Sequence, residues 1–274
     1  MEYESFYNFN YEPFSNVPDP KFFYSSPEHA KVFLRIMYST QRMKGLIVLT
    51  GMVGTGKTTL SRKVLATLMK EKEYLPGMLV LTKNEYPPFW LTSKVAELLQ
   101  IKEETEDENK IQLIAKRLFE IKKDGRKPII IIDEANKLSS DENLEELRSI
   151  MNIEDEESKL ITFILSGMPV LKEIVNRNES LKQRVAYLIT LSALSKNSTF
   201  DYIKHRLNIA GTNEEIFTED ALEEIYKWST GRPRLINTIC DNALLEGVLL
   251  QKKPITGEIV DLAAESLGLK TENG

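Results

Sequence analysis

The eight residues from Gly51 to Thr58 constrain this chain more than any other segment. They read GMVGTGKT, which fits the pattern GxxxxGK[ST], and they follow an apolar run at 46–50 that predicts a buried strand. In such a loop the backbone N–H groups surround phosphate oxygens, Lys57 adds a positive charge, and the Thr58 hydroxyl is available to Mg²⁺. A helix from 56 to about 72 would point its positive N-terminus at the same phosphates.

This pattern predicts nucleotide binding, and the alternative is a glycine-rich turn with a purely structural use. We expect the loop and the residue after it to contact the nucleotide, namely Gly51, Met52, Val53, Gly54, Thr55, Gly56, Lys57, Thr58 and Thr59.

A second motif ends in two carboxylates. Four consecutive isoleucines at 129–132 predict a fully buried strand, and Asp133 and Glu134 follow at its carboxyl end. In a parallel sheet this edge also carries the phosphate loop. We therefore expect Asp133 to hold Mg²⁺ together with Thr58, directly or through water, and Glu134 to polarise the attacking water. The alternative is an acidic helix cap.

Strand-like and helix-periodic segments alternate along most of the chain, which predicts an α/β fold with a parallel five-stranded sheet flanked by helices. Two helices are expected between the second and third strands. After Leu191 only helical patterns follow, at 195–209, 218–228, 232–250 and 256–267. We therefore expect an α/β domain at 1–193 and a helical domain at 194–274, joined by a short hinge near 192–195. The predicted strands are 46–50, 78–82, 128–132, 159–166 and 187–191.

Composition excludes several classes of protein. With 42% hydrophobic and 28% charged residues, the chain has the make-up of a cytoplasmic globular protein. No signal peptide and no apolar run of about 18 residues is present, so we expect no transmembrane segment of its own. The single cysteine, Cys240, excludes an internal disulfide. The acidic stretches 103–108 and 154–157 predict solvated loops, and neither His29 nor His205 has a second metal ligand at a suitable spacing, so we assign neither a catalytic role.

Four further segments carry a resemblance to a known family. They are the N-terminal block from Tyr11 to His29 with its PF, PDP, FFY and SPEH elements, the helix 138–147, the segment LSGMPVL at 165–171, and GRPRLIN at 231–237. Together with the two motifs above, they resemble the AAA+ ATPases. Within that group they resemble the ExeA family, also called general secretion pathway protein A, with its MSHA-biogenesis and exosortase-associated relatives. The resemblance covers nearly the whole chain.

The resemblance implies a P-loop AAA+ core, a C-terminal helical lid domain, and ATP with Mg²⁺ as ligands. It implies that Pro13 and Phe14 line the adenine side of the site, although such a loop often only caps a core. Arg184 matches an arginine finger that reaches into a neighbouring subunit, which implies a homo-oligomer. Arg177 is the reserve for that role, and the alternative is a surface arginine paired with Glu179 or Glu173. Arg234 matches the second sensor, which contacts the γ phosphate from the lid.

Two positions depart from the family pattern. At the positions of Met168 and Asn136, the family usually has glutamine. Because a methionine thioether does not serve as a hydrogen-bond donor to a water at the phosphate, Met168 does not match the family's polar sensor on the fourth strand. Ser166 is the substitute candidate, and the alternative is a strand-end serine that caps the next turn.

The leading functional prediction is an ATPase that serves a secretion or cell-envelope system, located in the cytoplasm and reaching the inner membrane only through a protein partner. The alternative is an ATP-dependent DNA-binding transposition regulator resembling TniB or TnsC. The net charge of −5 weighs against DNA, although a local basic face would suffice in a filament. A third reading is a nucleotide-dependent switch with negligible hydrolysis. The conceivable DNA contacts are Lys63, Lys70 and Lys72, or Lys94 and Lys102.

Overall fold

The structure is a computed structural model that describes residues 3–17, 19–102, 109–156 and 158–269. Pro18 of the N-terminal block, the acidic stretch 103–108 and Glu157 lie outside the described residues. The chain divides into two compact units. The α/β unit contains residues 31–52 and 57–191, and the helical unit contains the residues up to 30, residues 53–56 and the residues from 192 onward.

A five-stranded parallel sheet forms the centre of the α/β unit, as the sequence predicts. The strand order is β2-β3-β4-β1-β5, and every neighbouring pair is parallel. The three inner strands are buried along nearly their whole length, which is why they read as continuous apolar runs. The strands are β1 Leu46–Thr50, β2 Tyr74–Val80, β3 Lys127–Asp133, β4 Thr162–Gly167 and β5 Val185–Thr190.

Helices cover both faces of this sheet, and alternate strand residues pack under each layer. On one face, Ile130 and Ile132 of β3 belong to a core with side chains of α4, α5 and α6. On the other face, Ile129 and Ile131 belong to a core with side chains of α2 and α3. The helices are α2 Pro27–Gln41, α3 Lys57–Leu68, α4 Trp90–Leu98, α5 Lys110–Lys123, α6 Asp141–Met151, α7 Val170–Arg177 and α8 Glu179–Lys182.

The second strand differs most from its prediction. The sequence predicts 78–82, but β2 begins at Tyr74 and ends at Val80. Pro76 and Gly77 argue against a strand, yet β2 lies at the edge of the sheet, where proline is tolerated. The other strands begin and end within three residues of their predicted limits. The helix after the phosphate loop ends at Leu68, earlier than predicted.

The helical unit contains α1 Tyr3–Tyr7, α9 Lys196–Ile209, α10 Glu219–Ser229, α11 Pro233–Leu249 and α12 Gly257–Ser266. The last four helices lie within one residue of the predicted segments at each end. Their apolar faces form one core, which includes Ile203, Ile225, Ile239 and the buried thiol of Cys240. No helix among the described residues has both the length and the apolarity needed to cross a bilayer.

The N-terminal segment belongs to the helical unit, whereas we expected residues 1–193 to form one domain. Its aromatic side chains cause this difference, because Tyr7, Phe9 and Phe14 are buried in the core of the helical unit. The guanidinium of Arg206 holds the backbone by donating to the carbonyl oxygens of Pro13 and Ser15. The segment therefore contributes to the packing of this unit.

Candidate functional site

Asp133 ends β3 as a buried carboxylate whose two oxygens each accept a hydroxyl. The Thr58 Oγ1 hydroxyl donates to Oδ2 at 2.6 Å, and the Ser166 Oγ hydroxyl donates to Oδ1 at 2.8 Å. Thr58 lies in the first turn of α3, and Ser166 lies near the carboxyl end of β4. The structure therefore brings together three residues that the sequence predicts for one site.

Glu134 follows Asp133 in a strained backbone conformation. Its φ of 55° and ψ of 33° place it in the left-handed region, which residues other than glycine rarely adopt. A short 3₁₀ turn, Ala135–Lys137, starts directly after it. The side chain is only half-buried, unlike that of Asp133. Such strain concentrates at functional positions, so the backbone of Glu134 is itself a mark of a site.

Lys57 is buried at the start of α3, and its ammonium lies among backbone carbonyls. Nζ donates to the carbonyl oxygens of Gly51 at 2.9 Å and Met52 at 3.0 Å. Burial lowers the pKa of Lys57, and the carboxylates of Glu134 and Asp133 oppose this shift. The ammonium is therefore a partly desolvated charge, which interacts more strongly with an anion than a charge in water does.

Asn136 takes a structural part at the end of β4. Its side-chain oxygen accepts the backbone N–H of Met168 at 2.9 Å. The Met168 side chain itself is exposed, and Ser166, not Met168, contacts Asp133. Ser166 thus has the polar contact that a sensor on this strand requires, and the sensor role itself stays a prediction.

The tip of the phosphate loop belongs to the helical unit. Gly54 and Gly56 have positive φ angles of 81° and 96°. Neither glycine N–H has a hydrogen-bond acceptor among the residues that the structure describes. The Gly54 carbonyl accepts the backbone N–H of Arg234 at 3.2 Å. Backbone N–H groups that lack acceptors in such a loop are available to bind anions.

Arg234 and Arg232 lie at the start of α11 and differ in their contacts. Arg232 Nε donates to the Ser229 carbonyl at 3.2 Å and to Thr230 Oγ1 at 3.1 Å. The guanidinium of Arg234 is exposed and has no partner among the described residues. Both arginines line a cleft of about 250 Å³ within the helical unit, together with Val53, Gly54, Leu235 and Thr238.

His29 contacts the loop tip, although the sequence analysis assigned it no role. Its Nε2 lies 3.1 Å from the Thr55 carbonyl oxygen, and its Nδ1 lies 2.7 Å from Ser26 Oγ. Since a carbonyl only accepts, Nε2 carries the hydrogen and Nδ1 accepts from Ser26. Burial lowers the pKa of His29, which favours this neutral form. A Cβ on Gly56 would lie 2.7 Å from Nε2, so this contact requires glycine in the loop.

Two signals in the sequence pointed toward His29. It belongs to the Ser26–His29 element of the N-terminal block, and it follows Ser26 at the spacing of a helix cap. Ser26 Oγ indeed accepts the backbone N–H of His29 at 3.2 Å. We weighed histidines only as metal ligands or catalytic bases, so a role in holding the loop was missed.

The remaining predicted residues have more ordinary surroundings. Phe14 packs edge-on against Phe217 at 6.0 Å, so the structure gives Pro13 and Phe14 the core-capping arrangement that was the alternative to an adenine contact. Thr59 is exposed on α3, and the side chains of Met52 and Val53 are exposed at the loop.

Arg184 precedes β5 and is held by its own neighbourhood. Its guanidinium donates to the Ser180 carbonyl at 2.7 Å, to Ser180 Oγ at 2.9 Å and to Asn152 Oδ1 at 2.6 Å. The expected alternative, an ion pair with Glu179 or Glu173, does not form among the described residues, since Glu179 instead pairs with Lys182.

The residues of the α/β unit fit a phosphate-bound Mg²⁺. Thr58 gives its hydroxyl hydrogen to Asp133, so its oxygen lone pairs remain available to a cation, and Asp133 supplies a hard oxygen donor nearby. The described residues contain no group of three or more His, Cys, Asp or Glu that could hold a metal without help. Mg²⁺ at phosphate sites is bound in this sparse way, with phosphates and waters as its other ligands.

Comparison with known proteins agrees with this geometry. A family model described as an AAA domain matches residues 40–175. The chain is also 33% identical, over an alignment of 277 positions, to general secretion pathway protein A of Aeromonas hydrophila. The chain belongs to the AAA+ ATPases. The relationship to the ExeA family that the motifs indicate is thereby confirmed. The alignment covers 98% of this chain and 49% of that relative, so the chain spans about half of its length.

Solved structures support the same fold. The ORC2 protein of Aeropyrum pernix, in ADPNP–ADP complexes, has a TM-score of 0.65 at 15% identity, covering 93% of this chain and 71% of its own. Drosophila ORC bound to DNA has a TM-score of 0.70 at 18% identity, covering 94% of this chain and 65% of its own. At these identities the similarity concerns the AAA+ fold alone.

Proposed function

We propose that this chain binds ATP with Mg²⁺, hydrolyses it, and uses the change of nucleotide to assemble or remodel a partner in a secretion or cell-envelope system. The hydrogen-bonded set Thr58–Asp133–Ser166, with Lys57 and Glu134, is the observation that carries the proposal. It supplies a cation ligand, a desolvated positive charge and a carboxylate in the arrangement that phosphoryl transfer requires.

Each residue has a separate part in the mechanism. Lys57 binds the β and γ phosphate oxygens, and the N–H groups of Gly54 and Gly56 donate to phosphate. Thr58 and Asp133 would hold Mg²⁺, which would neutralise phosphate charge when bound. Glu134 orients the attacking water and accepts its proton. Ser166, fixed by Asp133, serves as the polar sensor on β4.

Two arginines complete the proposal. Arg234 has an exposed and unpaired guanidinium at the start of α11, where a cation opposes the helix dipole. An anionic ligand would offset that cost, so we assign Arg234 to the γ phosphate. We assign Arg184 to the site of a neighbouring subunit in a homo-oligomer, which requires it to leave Ser180 and Asn152.

The partner is proposed from the relationship to general secretion pathway protein A. Because the chain spans about half of that relative, the partner, the oligomer and a location in the cytoplasm or at the inner membrane belong to the proposal. DNA is the competing partner, since two solved structures of similar fold contain a protein bound to DNA.

ATP turnover by the purified protein tests the proposal. We would measure phosphate release per subunit over a range of protein concentrations, with and without double-stranded DNA, at near-physiological salt. A rate per subunit that rises with concentration and does not respond to DNA is expected, because Arg184 acts between subunits. Strong stimulation by DNA would instead support the transposition-type regulator, and absence of turnover would support the switch. Lys57→Ala is the control for contaminating ATPases.

A further inference from the structure

One face of the α/β unit has a charge opposite to that of the rest of the chain. Residues 31–70 contain eight Lys and Arg and no Asp or Glu. The other 234 residues contain 28 Lys and Arg and 41 Asp and Glu. The chain with a net charge of −5 therefore contains a segment with a charge of +8, which runs from Lys31 in α2 through β1, the phosphate loop and α3.

The cations of α2 lie together on its exposed side. Lys31 and Arg35 of α2, with Arg42 directly after its end, fall with Leu34 and Tyr38 within an arc of about 100° at 3.6 residues per turn. All five side chains are exposed, and the Arg42 guanidinium lies 5.1 Å from the centre of the Tyr38 ring. The opposite side of α2 is buried in the core beneath the sheet.

Helix α3 extends the same surface. Its buried side chains, Leu60, Val64 and Leu68, belong to the same core as Val32 and Ile36 of α2, so both helices cover one face of the sheet. The exposed side of α3 carries Arg62 and Lys63, and the exposed Met69 and Lys70 follow directly after its end. We call this combined exposed face of α2 and α3 the basic face.

Most cations in and beside α2 and α3 form no ion pair within the part of the chain that the structure describes. Among the described residues, no carboxylate forms a salt bridge with the cations that follow. They are Lys31, Arg35, Arg42, Lys44, Arg62 and Lys70. On the opposite face of the sheet, three helices each have an internal ion pair, namely Lys94–Glu97 in α4, Arg117–Glu120 in α5 and Arg148–Glu145 in α6.

Exposed apolar side chains decide which polyanion fits this face. Leu34 is 66% exposed, Met69 is 68% exposed and Tyr38 is 47% exposed, and they lie among the cations. Large aliphatic side chains gain little from contact with a phosphate backbone, where polar side chains accompany Lys and Arg. At a bilayer surface they enter the interface while the cations contact anionic headgroups.

We propose that the basic face docks directly on an anionic lipid bilayer, as a peripheral contact made by this chain itself. The inference does not depend on ATP hydrolysis, so its experiment is performed without nucleotide. The proposed lipid contact is additional to the location at the membrane through a protein partner that is proposed above. An experiment can contradict one of these two proposals and leave the other intact.

Vesicle binding tests this inference. The full chain is mixed with vesicles of phosphatidylcholine containing 30% phosphatidylglycerol, or of phosphatidylcholine alone, at low and high salt. Binding to the anionic vesicles is expected at low salt and should weaken as salt screens the charges. Each cation near such a surface contributes about fivefold in affinity, so Arg35→Glu with Arg42→Glu should reduce binding at least tenfold. Leu34→Ser with Met69→Ser should reduce it about threefold or more.

The matched control reverses two exposed cations on the opposite face, Lys116→Glu with Lys123→Glu in α5. It changes the net charge equally and should leave vesicle binding within about twofold. Thermal unfolding of each variant verifies that it folds. Equal binding to both vesicle types, or equal loss in the control, would overturn the proposal. Tighter binding to a 30-base-pair DNA duplex that displaces the vesicles would also overturn it, and so would a changed oligomeric state in the basic-face variant with no change in lipid affinity.

Discussion

Asp133 in the α/β unit and Arg234 in the helical unit are both charged and both lie at the end of a secondary-structure element, yet their surroundings are opposite. Asp133 is buried and accepts hydroxyl hydrogens at both oxygens. Arg234 is exposed, and its guanidinium has no partner in the part of the chain that the structure describes. Two neighbouring strands, β3 and β4, and the first turn of α3 fix the first group, whereas only one helix start positions the second.

From this difference we propose separate roles for Asp133 and Arg234. A carboxylate with both oxygens occupied is preorganised for a cation and needs little rearrangement when the cation binds. An unpaired arginine loses no internal hydrogen bond when its guanidinium binds a ligand. We therefore assign the chemistry to the α/β unit and the detection of the γ phosphate to the helical unit.

The largest expected effect on nucleotide affinity concerns Asp133, the buried and hydrogen-bonded residue of this comparison. Asp133→Asn keeps the shape of the side chain but removes the charge and replaces one acceptor by a donor. We expect the affinity for ATP in the presence of Mg²⁺ to fall by tenfold to a hundredfold, the range for a lost charged hydrogen bond. Affinity measured in EDTA should remain within about threefold.

Ser166→Ala is the matched control, because it removes a hydroxyl from the same carboxylate without removing the cation ligand. Its effect on affinity should be smaller than that of Asp133→Asn. A loss of similar size with and without Mg²⁺ would show that Asp133 is only a structural residue.

The exposed and unpaired state of Arg234 predicts a part in the preference for ATP over ADP. Arg234→Ala should reduce the preference for ATP over ADP by about tenfold, since one charged contact to the γ phosphate is lost. The free energy of unfolding should stay within about 0.5 kcal/mol, as for other exposed side chains. Titration calorimetry with both nucleotides and thermal unfolding provide the measurements.

Arg232→Ala is the control for Arg234. Because its guanidinium bonds Ser229 and Thr230, we expect it to lose about 1 kcal/mol of stability while keeping the nucleotide preference. If the two variants behave alike, Arg234 has no special part in nucleotide detection.

The smallest expected effect concerns the loop tip. His29→Phe fills the same space without a donor for the Thr55 carbonyl, and we expect ATP affinity to fall about threefold to tenfold, as for one lost hydrogen bond. His29→Gln retains an N–H group at the corresponding reach and should restore most of the affinity. Equal weakening in both variants would exclude the hydrogen bond as the cause.

Local sequence was sufficient for much of the fold and for part of the site. The run 129–132 predicts β3 because an inner parallel strand must be apolar on both faces. By contrast, the sequence did not predict that β2 begins at Tyr74, because Pro76 and Gly77 argue against a strand. The position of β2 at the edge of the sheet permits both residues.

Tertiary contacts account for what the sequence did not predict. Phe14 lies in the core of the helical unit because it packs on Phe217, more than 200 residues away in sequence. The contact of His29 with Thr55 likewise joins two motifs that are separate in the sequence. The sequence does not predict the left-handed backbone of Glu134, because glycine is the residue that usually adopts this conformation.

The most direct test of the central claim, that the α/β unit hydrolyses ATP, is the turnover of Glu134→Gln measured beside its ATP affinity. Glutamine preserves the size of the side chain but cannot accept a proton from water. We predict that turnover falls at least about a hundredfold, the usual contribution of a general base, while affinity stays within about threefold. Unchanged turnover would contradict the account and would favour a nucleotide-dependent switch.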